Sequence, residues 1–393
     1  MWSSLLTDLL VDIFRRLDAS DLVRCTCTCK PWRHTIIGNV SSLRLRPFCF
    51  DPNLLLGFFH EYRHGGKIID MHLRRVQGPF HSALRATSNG DGQEKLSSFI
   101  PADSAGGIDL SLYNIIMSSR DGFLLLDGTD RDDLCLCNPL TVSCTFLPYP
   151  AFIPDECVLV TAYDDSDGPA DDGQGVRIVP MEGEKSTHGF LIVKSQLSTP
   201  TTASTNKAAA ATWGPVKRSL ECKKLLGSHM MFEGAPVVCN GAIHWLGALI
   251  DGNACVVAID VHTGRTWTIE VPEESRYGYR DHVLAASRDG QITLARQSLF
   301  QDCTIHVWML IDGEKWTLQR TIHVPNLNQL NQVFCPRSGW VLANVYCGQE
   351  LVIDIQGGSS RPIMYPNDKD RVYCELHPYE MDWSTIFSRM KHF

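Results

Sequence analysis

The feature that most restricts the fold of this chain is a strand pattern that recurs at a nearly fixed interval. A glycine followed by a run of aliphatic, β-branched or aromatic residues occurs at Gly241, Gly290 and Gly339, so that successive copies begin 49 residues apart. Earlier copies begin at Gly189 and Gly122, at intervals of 52 and 67 residues. A period of about 50 residues that opens with a strand indicates an array of similar β units, each of which needs neighbours to cover its apolar face.

Each unit also contains a later hairpin, in which a turn-forming segment separates two strands. The turn segments are residues 138–141, 262–264 and 312–315, and the strands that follow them end at proline. Roughly 350 residues divided into units of about 50 give six or seven units, which is within the range of β-propellers. The sequence therefore predicts an all-β, propeller-like domain of about six to seven blades.

The amino-terminal segment has a different pattern, because residues 1–37 show helical periodicity. At about 100° per residue, the apolar residues of the first helix cover half of its surface. A helix that faces a single core needs an apolar stripe only a little more than 100° wide. We therefore expect this helix to contact a second surface, either the β domain or another protein.

Two further helices are predicted before the β region. The second follows a break at residues 18–21, where Ser20 or Asp18 can cap it, and the third begins at Pro31 and ends at Gly38. The change from helical to strand periodicity divides the chain into residues 1–40 and residues 41–393. The expected fold class is α+β multidomain, with a three-helix domain followed by an all-β propeller-like domain.

The helical segment resembles an F-box in residues 4–17, 21–25 and 29–33. The family pattern is Leu-Pro-x-Asp/Glu-Leu-Leu-x-x-Ile-x-x-Arg-Leu, then an apolar second helix, then Cys/Ser-Lys-x-Trp-Arg. One departure is Leu6, which stands where the family has proline and which can weaken adaptor binding. The β region is similar to the F-box-associated, kelch- or propeller-like domains common in plants, through residues 137–141, 147–148 and 240–246.

The resemblance implies a substrate-recognition subunit of an SCF-type E3 ubiquitin ligase. In that family the F-box docks a Skp-family adaptor, which links to a cullin–RING complex, and the carboxy-terminal domain captures a protein target. Such a receptor is not an enzyme and needs no cofactor, because it acts by bringing the target close to the conjugating enzyme. Carried onto this chain, the adaptor face and F-box core comprise Leu5, Leu6, Leu9, Leu10, Ile13, Phe14, Leu17, Leu22, Val23, Lys30 and Trp32.

Two alternatives remain open at this point. A β-propeller hydrolase with a helical leader predicts carboxylates that converge at one end of the propeller. An F-box scaffold that acts outside ubiquitylation predicts the same helices without the ligase. The identity of the protein substrate is not encoded in any recognisable motif.

The composition of the chain limits the classes of ligand that it can bind and the cell compartments in which it is expected. The formal net charge is −8 with a pI of about 5.9, and Lys and Arg form no dense stripe, which argues against nucleic acid as the main ligand. No apolar run reaches the roughly 18 residues that a membrane helix needs. Asp8 and Asp12 interrupt the first apolar segment, and the 15 cysteines are an odd number, so we expect no secretion signal and free thiols. The predicted location is the cytoplasm, the nucleus or both.

Several other residues suggest chemistry and are interpreted as structural. Cys25, Cys27 and Cys29 alternate along a helix and cannot converge on one metal ion. Cys135 and Cys137 share one face of a strand, but only Cys144 lies nearby as a third ligand, so no metal site is predicted. His244 is expected to be a core residue, and six tryptophans of the β region are expected to fill the gaps between blades: Trp213, Trp245, Trp267, Trp308, Trp316 and Trp340. Residues 164–175 and 198–211 are expected to be exposed loops.

Overall fold

A computed structural model gives the fold of most of the chain. It describes residues 7–17, 19–39, 54–64, 67–75, 95–100, 105, 107–128, 131–149, 156–160, 177–181, 191–192, 217–218, 231–248, 253–275, 281–287, 289–298, 303–313, 315–346, 349–363 and 376–380. The two expected loops at 164–175 and 198–211 lie outside these residues, as does Trp213.

The three predicted amino-terminal helices are present. They are α1 (Thr7–Phe14), α2 (Ala19–Thr28) and α3 (Lys30–Gly38), and a short helix α4 (Leu96–Phe99) precedes the first four-stranded sheet. Helix α2 begins at Ala19, so Ser20 lies inside its first turn and is not the cap that the sequence suggested. Pro31 occupies the first turn of α3, where its missing N–H costs no hydrogen bond.

The β region consists of short antiparallel strands in chain order. They are β1 (Leu55–His64), β2 (Lys67–Arg75), β3 (Ile115–Arg120), β4 (Phe123–Asp127), β5 (Asp133–Asn138), β6 (Ser143–Pro148), β7 (Glu156–Val160), β8 (Arg177–Met181), β9 (Leu191–Ile192), β10 (Lys217–Arg218), β11 (Met231–Cys239), β12 (Ala242–Ala248), β13 (Ala254–Asp260), β14 (Thr266–Glu270), β15 (His282–Ala286), β16 (Ile292–Gln297), β17 (Thr304–Ile311), β18 (Lys315–His323), β19 (Leu327–Cys335), β20 (Trp340–Val345), β21 (Glu350–Asp354), β22 (Ser360–Pro362) and β23 (Leu376–Glu380).

These strands form a propeller with five blades in the described part of the chain. Four blades have four strands each, β3–β6, β11–β14, β15–β18 and β19–β22, and the fifth has the order β2-β1-β23. The strands β7 to β10 form two two-stranded pairs, and β7 fills the place between β3 and β11. Within the described residues, five blades are fewer than the six to seven predicted, because that prediction counted every 50 residues as one blade, whereas β7 to β10 form two-stranded pairs.

The first and last strands of the β region close the ring. Strand β23 pairs antiparallel with β1, and it packs against both β3 and β19. The strand at residues 376–380 was not predicted from the sequence. Joining the two ends of the β region in one blade closes the ring, which is one way in which propellers limit exposed strand edges.

The repeated glycines stand at the start of the second strand of a blade. At the β3–β4 and β11–β12 connections, Asp121 and Gly122 have φ of 51° and 81°, and Asn240 and Gly241 have φ of 50° and 71°. Positive φ at both central residues defines a tight hairpin turn that prefers Asn-Gly or Asp-Gly. Gly290 and Gly339 also have positive φ, of 74° and 75°, but the residues before them do not, so the 49-residue period reflects a glycine that recurs in these connections and not a single turn type.

Most of the core lies between blades. Val158 and Val160 of β7 pack with Trp245 of the following blade, whereas Leu159 faces the preceding blade. Trp245 and Trp340 are fully buried, as the sequence analysis expected. Among the described residues, no helix is long and apolar enough to cross a membrane.

Candidate functional site

Helix α1 divides its apolar residues between two faces. Leu10, Val11 and Phe14 are buried, whereas Leu9 is 48% exposed and Ile13 is 39% exposed. Residues four apart lie one above the other on a helix, so Leu9 and Ile13 form one apolar strip. We call this pair the exposed α1 strip.

The buried face of α1 is held by the other two helices. Phe14 meets Trp32 edge to face with ring centroids 5.6 Å apart, and Leu22 and Ile36 are fully buried in the same cluster. The Arg33 Nε donates a hydrogen bond of 3.0 Å to the Thr26 carbonyl oxygen, which joins α3 to α2. This packing fixes the orientation of α1 and so determines which of its side chains point outward.

Charged residues surround the exposed α1 strip. Asp12 and Arg15 form an exposed pair at 3.1 Å, Asp8 is exposed on α1, and Arg16 is exposed in the turn that follows it. Exposed pairs of this kind contribute little to stability. An apolar centre with a polar, solvated rim is the usual anatomy of a protein-binding surface.

The residues predicted for the adaptor face and F-box core have different positions in the structure. Leu9 and Ile13 are exposed, Lys30 is exposed on α3, and Leu17 and Trp32 are half-buried at the edge of the cluster. Leu5 and Leu6 lie outside the described residues, as does the side chain of Val23 on α2. The buried members are Leu10, Phe14 and Leu22.

The apolar cluster of the helices continues into the β region. Leu54, Leu56 and Phe59, at the start of β1, belong to the same cluster as Phe14 and Leu22. The chain therefore covers much of the apolar surface of its own helices. The exposed α1 strip is the part of α1 that it leaves uncovered.

A second candidate site lies where the ring closes, at the turn between β19 and β20. The Arg337 guanidinium binds both carboxylate oxygens of Asp121, with Nη2 2.6 Å from Oδ2 and Nε bonded to Oδ1. Glu380 accepts hydrogen bonds from the backbone N–H of Arg337 and Ser338 at 2.9 and 2.7 Å, and from the Ser338 hydroxyl at 2.6 Å. All four residues are buried.

This cluster joins three elements of the ring and does not form an open catalytic pair. Burial raises the pKa of Glu380, and the donors from Ser338 and Arg337 offset only part of that rise. The Tyr379 hydroxyl donates to the Gly122 carbonyl oxygen at 3.1 Å, and the Ser119 hydroxyl donates to the Pro378 carbonyl oxygen at 2.5 Å. The two carboxylates hold Arg337 and the adjacent turn, which is a structural role. Sequence reasoning missed this cluster, and only the Asp121-Gly122 turn pair gave a signal for it.

His244 is a core residue, as the sequence analysis preferred. It is 5% exposed, and burial lowers the pKa of His244 to about 4, although backbone contacts with Val237 and Ala242 oppose that change. Its Nδ1 lies 3.4 Å from the Val237 carbonyl oxygen and 3.7 Å from the Cys239 sulfur. The imidazole is therefore neutral near pH 7 and packs within its blade.

The described cysteines are the next set of residues that could carry chemistry. Across the residues whose placement the structure gives, no group of three or more His, Cys, Asp or Glu side chains is arranged to hold a metal ion. Every cysteine described is a free thiol. Cys137 on β5 lies directly opposite Cys144 on β6, a proximity that the sequence analysis noted only as spacing.

The helical region and the five-bladed ring define the class of protein. It is an F-box-like region followed by a β-propeller, and a family model described as F-box-like matches residues 2–41. A second family model, described as a domain of unknown function (DUF7595), matches residues 93–320. That match covers more than half of the chain, so the chain belongs to the DUF7595 family. The expected F-box is thereby confirmed at the level of an F-box-like domain, and neither of these two models is a kelch model.

Comparison with curated proteins finds no match. Solved structures give weak likenesses. YCF48 from Cyanidioschyzon merolae has a TM-score of 0.37 and 9% identity, over 82% of this chain and 89% of that chain. A luciferin-regenerating enzyme has a TM-score of 0.34 and 10% identity, over 64% of this chain and 78% of that chain. The WD40 β-propeller domain of Doa1 has a TM-score of 0.28 and 14% identity, and the chain spans 60% of it. These values are too low to support any conclusion about function.

Proposed function

We propose that this protein is the substrate-recognition subunit of an SCF-type E3 ubiquitin ligase. Its F-box-like region docks a Skp-family adaptor, and through the adaptor a cullin–RING complex. Its propeller captures a protein target. The observation that carries the proposal is the exposed α1 strip, Leu9 and Ile13, on an otherwise well-packed F-box-like region.

The exposed α1 strip has the chemistry that adaptor docking requires. The other apolar residues of α1, Leu10, Val11 and Phe14, pack inside the protein, and this packing presents the strip on a rigid helix. Full burial of one Leu or Ile side chain contributes about 1.5–3 kcal/mol, so covering the exposed half of two such side chains contributes about 2 kcal/mol. A strip on a helix that is already folded binds at a lower ordering cost than a strip on a segment that must first fold.

The proposed boundary between the adaptor-binding region and the target-binding region lies near residue 40. Residues 1–40 would bind the adaptor, and residues 41–393 would bind the target. The protein would act by proximity, because holding a target's lysines near a charged conjugating enzyme raises their effective concentration. Such a receptor needs no catalytic residue of its own, and its location would be the cytoplasm, the nucleus or both.

The hydrolase alternative has less support from the geometry. It requires carboxylates that converge where a substrate can reach them. Asp121 and Glu380, which converge at the ring closure, are 2% and 3% exposed and hold Arg337 and Ser338. We therefore favour the receptor. Whether it works inside or outside ubiquitylation is decided by whether a cullin co-purifies with the adaptor.

The test is co-purification of the full chain with a Skp-family adaptor. We expect Leu9→Asp with Ile13→Asp to abolish recovery, since two carboxylates would be buried against an apolar partner. The matched control is Leu112→Asp with Leu318→Asp, because these side chains are each 50% exposed but lie in the β region. Equal recovery of the adaptor by the wild type and the α1 double variant would overturn the proposal, as would equal loss in both double variants.

A further inference from the structure

Three cysteines converge on one face of the β5–β6 hairpin. Cys137 pairs directly with Cys144 in the antiparallel register, and Cys135 lies two residues earlier on the same face of β5. Directly opposed residues in an antiparallel pair have Cα atoms about 4.5 or 5.5 Å apart. Both distances lie within the range of about 4.4–6.8 Å that a disulfide can bridge.

The three thiols differ in their access to solvent. Cys135 and Cys137 are 0% and 1% exposed, whereas Cys144 is partly exposed at the edge of the apolar cluster. A reagent in solution therefore reaches the Cys144 sulfur first. The other two sulfurs lie behind it, within hydrogen-bond reach.

The hydrogen bonds of the cluster favour a thiolate at Cys144. Hydrogen bonds from Cys135 and Cys137 lower the pKa of Cys144 to about 4, against the opposing effect of burial. Burial, together with the hydrogen bonds to Cys135 and Cys144, raises the pKa of Cys137 well above its usual range. These opposite shifts favour ionisation of Cys144 over ionisation of Cys137, and a more acidic thiol beside a protonated neighbour is the arrangement of a nucleophilic thiol with a resolving partner.

We propose that Cys144 is a site of oxidative modification that reacts with hydroperoxides, and that Cys137 resolves the product as a disulfide. This inference is independent of the proposed ligase function. The site is a cluster of three side chains set by strand register, and every member lies on a well-defined hairpin.

The reaction balances in two steps. The Cys144 thiolate attacks one oxygen of the hydroperoxide, so that an S–O bond forms, the O–O bond breaks, and the departing alkoxide takes a proton from water to become an alcohol. The resulting sulfenic acid is then attacked by the Cys137 sulfur. An S–S bond forms, the S–O bond breaks, and the departing hydroxide takes the Cys137 proton and leaves as water. The two sulfurs lose two electrons and the hydroperoxide gains them.

The first test is the order of alkylation in the wild-type full chain, measured by iodoacetamide labelling and peptide mass mapping. The control is Cys27 on α2, because it is the more exposed thiol. At about pH 5, an ordinary thiol of pKa about 8.5 is about 0.03% ionised, whereas a thiol of pKa about 4 is about 90% ionised. The lower intrinsic nucleophilicity of such a thiolate offsets about 100-fold of that ratio, which leaves Cys144 about 30-fold faster.

The order of alkylation should reverse at about pH 8.5. A thiol of ordinary pKa is then about half ionised, so the weaker nucleophilicity of the Cys144 thiolate makes Cys144 about 50-fold slower than such a thiol. A rate order that follows exposure at both pH values, with Cys27 always first, would overturn the proposal. This measurement uses the wild type and does not depend on how any variant folds.

The second test is oxidation by hydrogen peroxide at a one-to-one ratio near pH 6. We expect the wild type to lose two hydrogens and to yield a peptide crosslinked between Cys137 and Cys144. Cys137→Ser should instead trap a sulfenic acid on Cys144, detected with dimedone, and Cys144→Ser should show neither product. Oxidation of Cys27 or Cys25 before Cys144 would contradict the proposal.

Discussion

The buried cluster at the ring closure makes a quantitative prediction. Asp121 and Arg337 come from turns 216 residues apart in sequence, and their side chains are 2% and 9% exposed. Arg337→Met keeps the length and apolar stem of the side chain but removes the guanidinium that neutralises Asp121. Breaking a buried ion pair by removing one partner costs about 3–5 kcal/mol, because the remaining charge stays buried.

The expected cost converts to a measurable shift in melting temperature. Unfolding entropy is about 2.1 cal/mol/K per residue, so a domain of about 350 residues gives about 0.7 kcal/mol/K and a decrease in Tm of about 4–7 °C. Differential scanning calorimetry measures this shift directly. The Asp121→Asn, Arg337→Met double variant should recover part of the loss, because the side chain at position 121 is then uncharged, while Glu380 keeps its hydrogen bonds from the backbone N–H groups of residues 337 and 338.

The control for this prediction is an ion pair on the surface. Arg24 and Asp21 form a pair at 2.7 Å with side chains that are 77% and 42% exposed, so Arg24→Met should leave Tm nearly unchanged. The reasoning is refuted if Arg337→Met shifts Tm no more than Arg24→Met does. It is also refuted if the decrease in Tm of the double variant equals the sum of the decreases in the two single variants.

Two further predictions concern the blades. Because the pKa of His244 is lowered to about 4, the folded state binds fewer protons than the unfolded state, and stability should fall by about 3 kcal/mol as the pH decreases from about 6.5 to about 4. His244→Gln should remove this part of the pH dependence in urea titrations at several pH values, and parallel curves for the two proteins would contradict it. Gly122→Ala places a side chain at a φ of 81° and should cost about 1–2 kcal/mol in the same titrations. Gly38→Ala is the control, since it meets open space and has an ordinary φ, and an equal loss in both variants would argue against the turn assignment.

The repeated elements of this fold could be predicted from the sequence because each depends on local chemistry. The turn at Asn240-Gly241 recurs as Asp121-Gly122, and the apolar strands that follow both glycines pack on both faces. The hairpin at residues 138–141 was also predictable, because the Asn138 side chain accepts hydrogen bonds from the backbone N–H of Leu140 and Thr141. These contacts join residues that are close in sequence.

The ring closure could not be predicted in the same way. The contacts of Glu380 with Ser338, and of Tyr379 with Gly122, join positions 42 and 257 residues apart. A single sequence contains no periodic signal for such contacts. The blade count was wrong for a related reason, because chain length alone does not say which stretches pair as four strands.

The two faces of α1 were also only partly predictable. Helical periodicity correctly indicated that the apolar surface of α1 is wider than one core requires. It did not show that Phe14 would pack on Trp32 while Ile13, one residue earlier, would remain exposed. That distinction depends on where α2 and α3 lie.

The affinity of the purified full chain for a Skp-family adaptor is the measurement closest to the central claim. Truncation of the exposed α1 strip by Leu9→Ala with Ile13→Ala removes about 2 kcal/mol of apolar contact, so isothermal titration calorimetry should show a Kd about 30-fold weaker than that of the wild type. The Leu112→Ala, Leu318→Ala variant, which shortens two side chains of equal exposure in the β region, should bind like the wild type. An adaptor that fails to bind the wild type, or that binds the α1 variant within twofold of it, would contradict the account.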